Sequence, residues 1–174
     1  MDDSARTAGI PIAEIVSGRL SASEIHDRLS GGESISFLSS GPDETFFLGQ
    51  LFGGYGQQGE VYTLTGDLGA GKTLFTQGFA AGLDVTEPVN SPTFTILQVY
   101  ESGRLPFYHF DVYRIGDVEE MEEVGWEDYI YGGGVCIVEW AELIQDILPE
   151  GQIHILIEKD PEHGFDYRRI TIYI

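Results

Sequence analysis

The sequence is short of cations before anything else. Its 174 residues include 9 Lys and Arg against 29 Asp and Glu, a formal net charge of −20. Such a chain repels a phosphate backbone, so unaided nucleic-acid binding is not expected. Cysteine is nearly absent: Cys136 stands alone, no internal disulfide can form within the chain, and a reducing, cytoplasmic setting is expected. No run of 18 apolar residues occurs, so no transmembrane helix and no membrane partner are expected. The opening MDDSAR has two acids and no basic region ahead of an apolar stretch, which argues against a secretory signal. The one asparagine, Asn90, is not followed by Lys-x-Asp. The guanine-reading Asn-Lys-x-Asp is thus missing, and ATP becomes the expected nucleotide. There is no Cys/His cluster with zinc spacing, no Gly-x-Ser-x-Gly elbow and no dinucleotide fingerprint.

What is present suits one compact domain with a real core: 42% hydrophobic and 12% aromatic residues. Residues 1–33 read as an N-terminal extension. Met1–Gly9 is small and polar, an expected disordered start. Ser21-Ala-Ser-Glu24 has capping-box spacing and predicts a short helix over 22–29, ended by Gly31-Gly32. The extension is read as a packing appendage or a partner-binding arm. From Ser34 to the C-terminus the pattern is continuous. Strands are predicted over 34–38, 60–65, 93–101, 105–113, 135–139, 153–158 and 167–174. Helices are predicted from Pro42 to a stop at Gly53-Gly54, over 73–81, over the acidic 117–131 with a break at Gly125, and over 141–148.

Gly66-Asp-Leu-Gly-Ala-Gly-Lys-Thr73 matches G-x-x-x-x-G-K-[ST] in full. Glycines let backbone N–H groups turn inward around phosphates, and the following helix offers the same anion its positive end. Lys72 can reach the β- and γ-phosphates, and the Thr73 hydroxyl can sit on Mg²⁺. A β-rich strand before the loop and an apolar helix after it are the context that the motif requires. The alternative is a glycine-rich turn that carries Gly-Lys-Thr by chance.

A phosphate-loop protein needs an acid for the metal or its water at the end of an apolar strand. Phe107-Tyr-His-Phe-Asp111 and Val135-Cys-Ile-Val-Glu139 both end that way. In an open α/β sheet both acids would lie beside the loop; spacing does not say which one meets the metal. His109 and Cys136 sit inside apolar strands and read as core. Trp140 reads equally as a nucleotide contact or a buried aromatic. Within Asn90-Ser-Pro-Thr93, the hydroxyls of Ser91 and Thr93 either sense a γ-phosphate as a switch does or cap a turn. The acidic run Glu119–Asp128 reads as a solvated helix face.

Taken in order, GDLGAGKT (66–73), NSPTFT (90–95), YHFDVYR (108–114), EEVGWEDY (122–129) and VEWAE (138–142) resemble the TsaE (YjeE) family, bacterial ATPases of tRNA threonylcarbamoyladenosine synthesis. The similarity runs from about Ser34 to the C-terminus. It implies an α/β, three-layer P-loop NTPase fold with a mixed sheet, and slow ATP hydrolysis that increases with the partners TsaB and TsaD. Those partners carry the carbamoyl transfer to the adenosine beside the anticodon, in tRNAs reading codons that begin with A, so tRNA would be met only indirectly. The resemblance further implies that Thr73 and Glu139 bind Mg²⁺. Leu68, Gly69, Ala70, Gly71, Lys72 and Thr73 would bind the phosphates, and Glu44 would lie near the base. Asp111 would be needed for activity, and residues 91–95 would form the switch-like segment. Lys72, Asp111 and Glu139 are the expected catalytic residues, with ATP and Mg²⁺ as cofactors. Ala141, where many relatives carry proline, and the N-terminal extension depart from the family pattern. Two other readings stand beside this one. A small-molecule kinase would want an Arg-rich lid, which is not visible, and an ATP-sensing module without turnover would need the same loop.

Overall fold

The computed structural model describes residues 8–174; the start expected to be disordered lies, for residues 1–7, outside the described residues. Among the described residues the strands are β1 (Ile10–Pro11), β2 (Ile35–Ser39), β3 (Val61–Thr65), β4 (Leu97–Tyr100), β5 (Phe107–Asp111), β6 (Val135–Glu139), β7 (Ile153–Lys159) and β8 (Arg168–Tyr173). They form a single sheet in the order β1-β2-β8-β7-β3-β6-β5-β4. The four central strands β7, β3, β6 and β5 run parallel. The β7–β8, β8–β2 and β5–β4 pairs are antiparallel, so the sheet is mixed. All five residues of β6 are buried, as a strand covered on both faces requires.

The two faces carry separate cores. Under helices α1 (Ile12–Val16), α2 (Ala22–Ser30), α3 (Pro42–Tyr55) and α4 (Lys72–Gly82) lie Leu48, Leu64, Phe75, Phe79, Phe107 and Ile155. On the other face α5 (Glu120–Glu123), α6 (Trp126–Ile130) and a 3₁₀ stretch, Ala141–Ile147, cover Phe110, Val112, Met121, Val138 and Ile144. The result is the three-layer α/β arrangement.

Helices α3 and α4 touch backbone to backbone. A Cβ on Gly49 would stand 2.2 Å from Phe75 O, and one on Gly53 would stand 2.0 Å from Phe79 O. From the other helix, a Cβ on Gly78 would meet Phe46 O at 2.1 Å and one on Gly82 would meet Gln50 O at 2.1 Å. Four glycines thus fix how closely the helix that follows the phosphate loop is held. This also corrects the predicted stop at Gly53-Gly54. The helix runs on to Tyr55 because Gly53 serves as a contact surface, not a terminator. Its C-terminal carbonyls at Gly53, Gly54 and Gly56 accept hydrogen bonds from Arg104 Nη2, at 2.8, 3.2 and 2.7 Å, a cation where the helix dipole is negative.

Other elements differ from expectation in detail. The strand predicted from Thr93 begins only at Leu97, because the Pro92 carbonyl accepts from the amides of Thr95 and Ile96 and closes a turn. The acidic segment is two short helices, parted by Gly125 at φ 74°. The 141–148 helix is 3₁₀ with a kink at Ile144. In the N-terminal segment the capping box at Ser21 and Glu24 is formed. Residues Ile10–Pro11, given no element by the sequence, add a parallel edge strand beside β2. Ile12, Ile15, Ile25 and Leu29 are buried in the same core as Phe75 and Phe79.

Candidate active site

The loop between β3 and α4 leaves the carboxyl end of a central parallel strand, the position where open sheets hold ligands. Its glycines are required by conformation and space. Gly66, Gly69 and Gly71 have φ of 146°, 76° and 115°, and a Cβ on Gly66 would stand 2.3 Å from Ile157 O. Gly71 begins α4 without a side-chain cap, so the first-turn amides are left for an external anion. Lys72 Nζ donates to Gly66 O and, at 3.0 Å, to Asp67 O, and it sits 3.8 Å from the centre of the Trp140 ring. Its burial pushes the ammonium below the ordinary lysine range, more than Glu139, Glu142, Asp111 and Asp67 raise it. The loop is steadied from behind: Arg168 Nε donates to Ala70 O at 2.8 Å.

Strands β5 and β6 pair so that Asp111 lies opposite Glu139. Both carboxylates are buried, 3% and 2% exposed, and each is held by a different set of groups. Glu139 Oε1 accepts from Thr76 Oγ1 at 3.0 Å and lies 3.2 Å from His109 Nε2. Its other oxygen, Oε2, accepts from Thr73 Oγ1 at 3.3 Å. Asp111 Oδ2 accepts from Ser91 Oγ and, at 3.3 Å, from Thr93 Oγ1, while Oδ1 accepts from the Tyr113 amide at 3.0 Å. Glu139 therefore belongs to the loop and α4, and Asp111 to the segment after Asn90. Trp140 leaves β6 at φ 62°, an uncommon conformation for a side-chain-bearing residue. That turn lays its ring between Lys72 and the Tyr113 ring, 4.6 Å away centre to centre.

These groups line one cleft of about 460 Å³, within the range of ligand sites. Leu68, Gly69, Gly71, Lys72, Thr73, Ser91, Thr93, Asp111, Glu139 and Trp140 all face it. Two residues expected there do not line it. Ala70 is fully buried beneath the loop. Glu44, in the first turn of α3, accepts from the Ser40 amide at 2.7 Å. Four residues of the cleft or its support were given no role by the sequence reading. Tyr113 and Arg114 line the cleft, and Thr76 and Arg168 hold Glu139 and the loop. His109 is buried, as its strand position suggested, yet it faces Glu139.

The family model "Threonylcarbamoyl adenosine biosynthesis protein TsaE" matches residues 39–170. The tRNA threonylcarbamoyladenosine biosynthesis protein TsaE of Bacillus subtilis (strain 168) is 48% identical over 139 residues, 80% of this chain and 85% of that protein. Its namesake in Treponema pallidum (strain Nichols) is 42% identical over 118 residues, 68% of this chain and 87% of that protein. A crystal structure of Bacillus subtilis YdiB superposes with a TM-score of 0.70 at 42% identity, covering 81% of this chain and 85% of that one.

Proposed function

Since the chain belongs to the TsaE family of threonylcarbamoyl adenosine biosynthesis proteins, we propose that it is a Mg²⁺-dependent ATPase serving that tRNA modification. It works in the cytoplasm with TsaB and TsaD homologues, and tRNA reaches it only through that assembly. The observation that carries this reading is the convergence of Lys72, Thr73, Asp111 and Glu139 on one cleft, at the carboxyl ends of adjacent parallel strands. No helix among the described residues is long and apolar enough to cross a membrane.

The residues fit the metal. Thr73 Oγ1 and Glu139 Oε2 are hard oxygen donors 3.3 Å apart, while Glu139 Oε1 is already engaged by Thr76 and His109. One hydroxyl and one carboxylate oxygen suit a cation that keeps most of its waters. When bound, Mg²⁺ neutralises charge on the β- and γ-phosphates. The loop amides cradle those phosphates, and Lys72 lies against the charge that grows as the Pγ–O bond to ADP breaks. Trp140 keeps Lys72 in place from one side. Asp111 holds Ser91 and Thr93 at the cleft, which supports reading this segment as the switch that would meet a γ-phosphate. Water supplies the attacking oxygen, and ADP, phosphate and one proton leave.

Calorimetry with ATP in the presence and absence of Mg²⁺, followed by turnover alone and with TsaB and TsaD homologues, tests this. Mg²⁺-dependent binding is expected, with slow hydrolysis that accelerates in the assembly. Failure to bind ATP overturns the reading. Binding without turnover in either setting leaves an ATP-sensing module instead.

A further inference from the structure

We propose that Arg114 is a second catalytic cation, an arginine supplied by this chain that moves from Phe94 onto the γ-phosphate. The proposal rests on the ATPase reading above and adds a residue to it. Two cations line the cleft, Lys72 and Arg114. Lys72 is committed to the loop by two carbonyls and the Trp140 ring. Arg114 is held differently. Its guanidinium carbon lies 4.4 Å from the centre of the Phe94 ring, and no carboxylate of the described residues pairs with it, in a chain with 29 acids. Two of the other arginines are engaged by carboxylates, Arg28 by Glu33 and Arg169 by Asp160. Two more, Arg104 and Arg168, are spent on carbonyls. An exposed cation resting on an aromatic face alone is weakly held and keeps its donors free.

Its base, by contrast, is fixed. The preceding residue, Tyr113, donates its amide to Asp111 Oδ1 at 3.0 Å and packs its ring on Trp140 at 4.6 Å. Arg114 thus springs from a backbone tied to one carboxylate of the site, with a long side chain free to swing. Its resting place is tied to the same carboxylate. Phe94 is 84% exposed and directly follows Thr93, whose hydroxyl donates to Asp111 Oδ2. Asp111 therefore sets both where Arg114 starts and where its head rests. A planar guanidinium with five donors matches the equatorial oxygens of a transferring phosphoryl group, and it stabilises charge that is larger in the transition state than in bound ATP. In the step it assists, a water oxygen bonds to Pγ, the bond from Pγ to the ADP oxygen breaks, and one proton is released with phosphate.

The test compares Arg114→Ala and Arg114→Lys with wild type and with Arg28→Ala, an arginine variant on α2, outside the cleft. The readouts are ADP affinity, affinity for ADP with aluminium fluoride, and single-turnover hydrolysis. Arg114→Ala should keep ADP affinity within about twofold, lose the added affinity for ADP–aluminium fluoride, and slow hydrolysis at least ~100-fold. Arg114→Lys should recover only part of the rate, because a point charge lacks the planar fork. Phe94→Ala should slow hydrolysis less than Arg114→Ala does, since it removes the resting place and not the cation. Hydrolysis by Arg114→Ala at the wild-type rate, with wild-type affinity for ADP–aluminium fluoride, overturns this proposal and leaves the ATPase reading intact. A wild-type chain that binds no ATP overturns both. Arg114 is exposed, so the variants should melt within a few degrees of wild type.

Discussion

The cleft has two walls, and they are built from different materials. The wall formed by the phosphate loop and α4 is made of backbone. Glycines at four helix positions set its distance from α3, glycines with positive φ shape the loop, and Lys72 and Arg168 bind loop carbonyls. The opposite wall, residues 91–96 with Tyr113 and Arg114, is made of side chains. It hangs on hydroxyl bonds from Ser91 and Thr93 to Asp111, ends in Ile96 at φ 66° and exposes Phe94. Tightly packed backbone has no room to adjust. A segment held by three or four polar contacts can be rearranged by a ligand that competes for them. On the proposed function, the first wall would bind the phosphates that ADP and ATP share, and the second would respond to the γ-phosphate that ATP has and ADP lacks.

The sharpest way to break the first wall is through its seam. Gly53→Ala places a methyl 2.0 Å from Phe79 O, where only movement of a whole helix can relieve it. A loss of about 3 kcal/mol or more is expected in urea unfolding. The neighbouring Gly54→Ala makes a contrast: its Cβ would have Gly82 O at 3.9 Å as its nearest neighbour. There the usual helix preference for alanine should raise stability by about 0.5–1 kcal/mol. Equal effects at the two positions would mean that the seam does not set the α3–α4 distance.

Lys72→Ala leaves the helices packed and removes the loop's side-chain cation. ATP affinity measured by calorimetry should fall about 100-fold, near 3 kcal/mol by the relation of affinity to free energy. Little change is expected in the unfolding midpoint, because the lost ammonium is itself desolvated in the folded chain. On the opposite wall, Ser91→Ala deletes one hydroxyl bond to Asp111. Its effect on global stability should be about 1 kcal/mol or less, with ADP affinity unchanged and single-turnover hydrolysis about tenfold slower. A Ser91→Ala protein that instead loses ADP affinity would erase the distinction between the walls.

The same division explains what could be read from the sequence. The loop wall is local. Strand, glycine turn, Lys-Thr and helix follow one another within about twenty residues, so chemistry and conformation share one signature. The two acids were legible because each ends an apolar strand. What holds them was not. Thr76 reaches Glu139 across 63 positions and His109 reaches it across 30, and nothing in either local pattern marks the partner. The turn at Pro92–Ile96 was hidden by a β-rich composition that a single carbonyl overrides. Gly53 and Gly54 look alike in sequence, and only the neighbouring helix separates contact from spacer. The strand Ile10–Pro11 is two residues long, too short for any alternation to show.

The smallest expected effect concerns RNA at the responsive wall. Phe94 under Arg114 looks like a stacking platform of the kind single-stranded RNA uses. If it served as one, the wall would read tRNA directly instead of ATP. Charge argues against this. The chain carries −20 overall, and Arg114 is flanked in sequence by Asp111, Asp117, Glu119 and Glu120, with Glu87 and Glu101 on either side of Phe94. Its one cationic doublet is already engaged: Arg168 donates to carbonyls of Ala70, Phe165 and Tyr167, and Arg169 to Asp160. The Arg114 guanidinium does not outweigh such a field within a Debye length of roughly 8 Å in physiological salt. A filter-binding titration of the isolated chain with tRNA at physiological salt should therefore show no saturable binding, and Phe94→Ala should change nothing in that assay. Tight, salt-sensitive binding lost in Phe94→Ala would reassign the exposed wall from sensing a phosphate to touching the RNA.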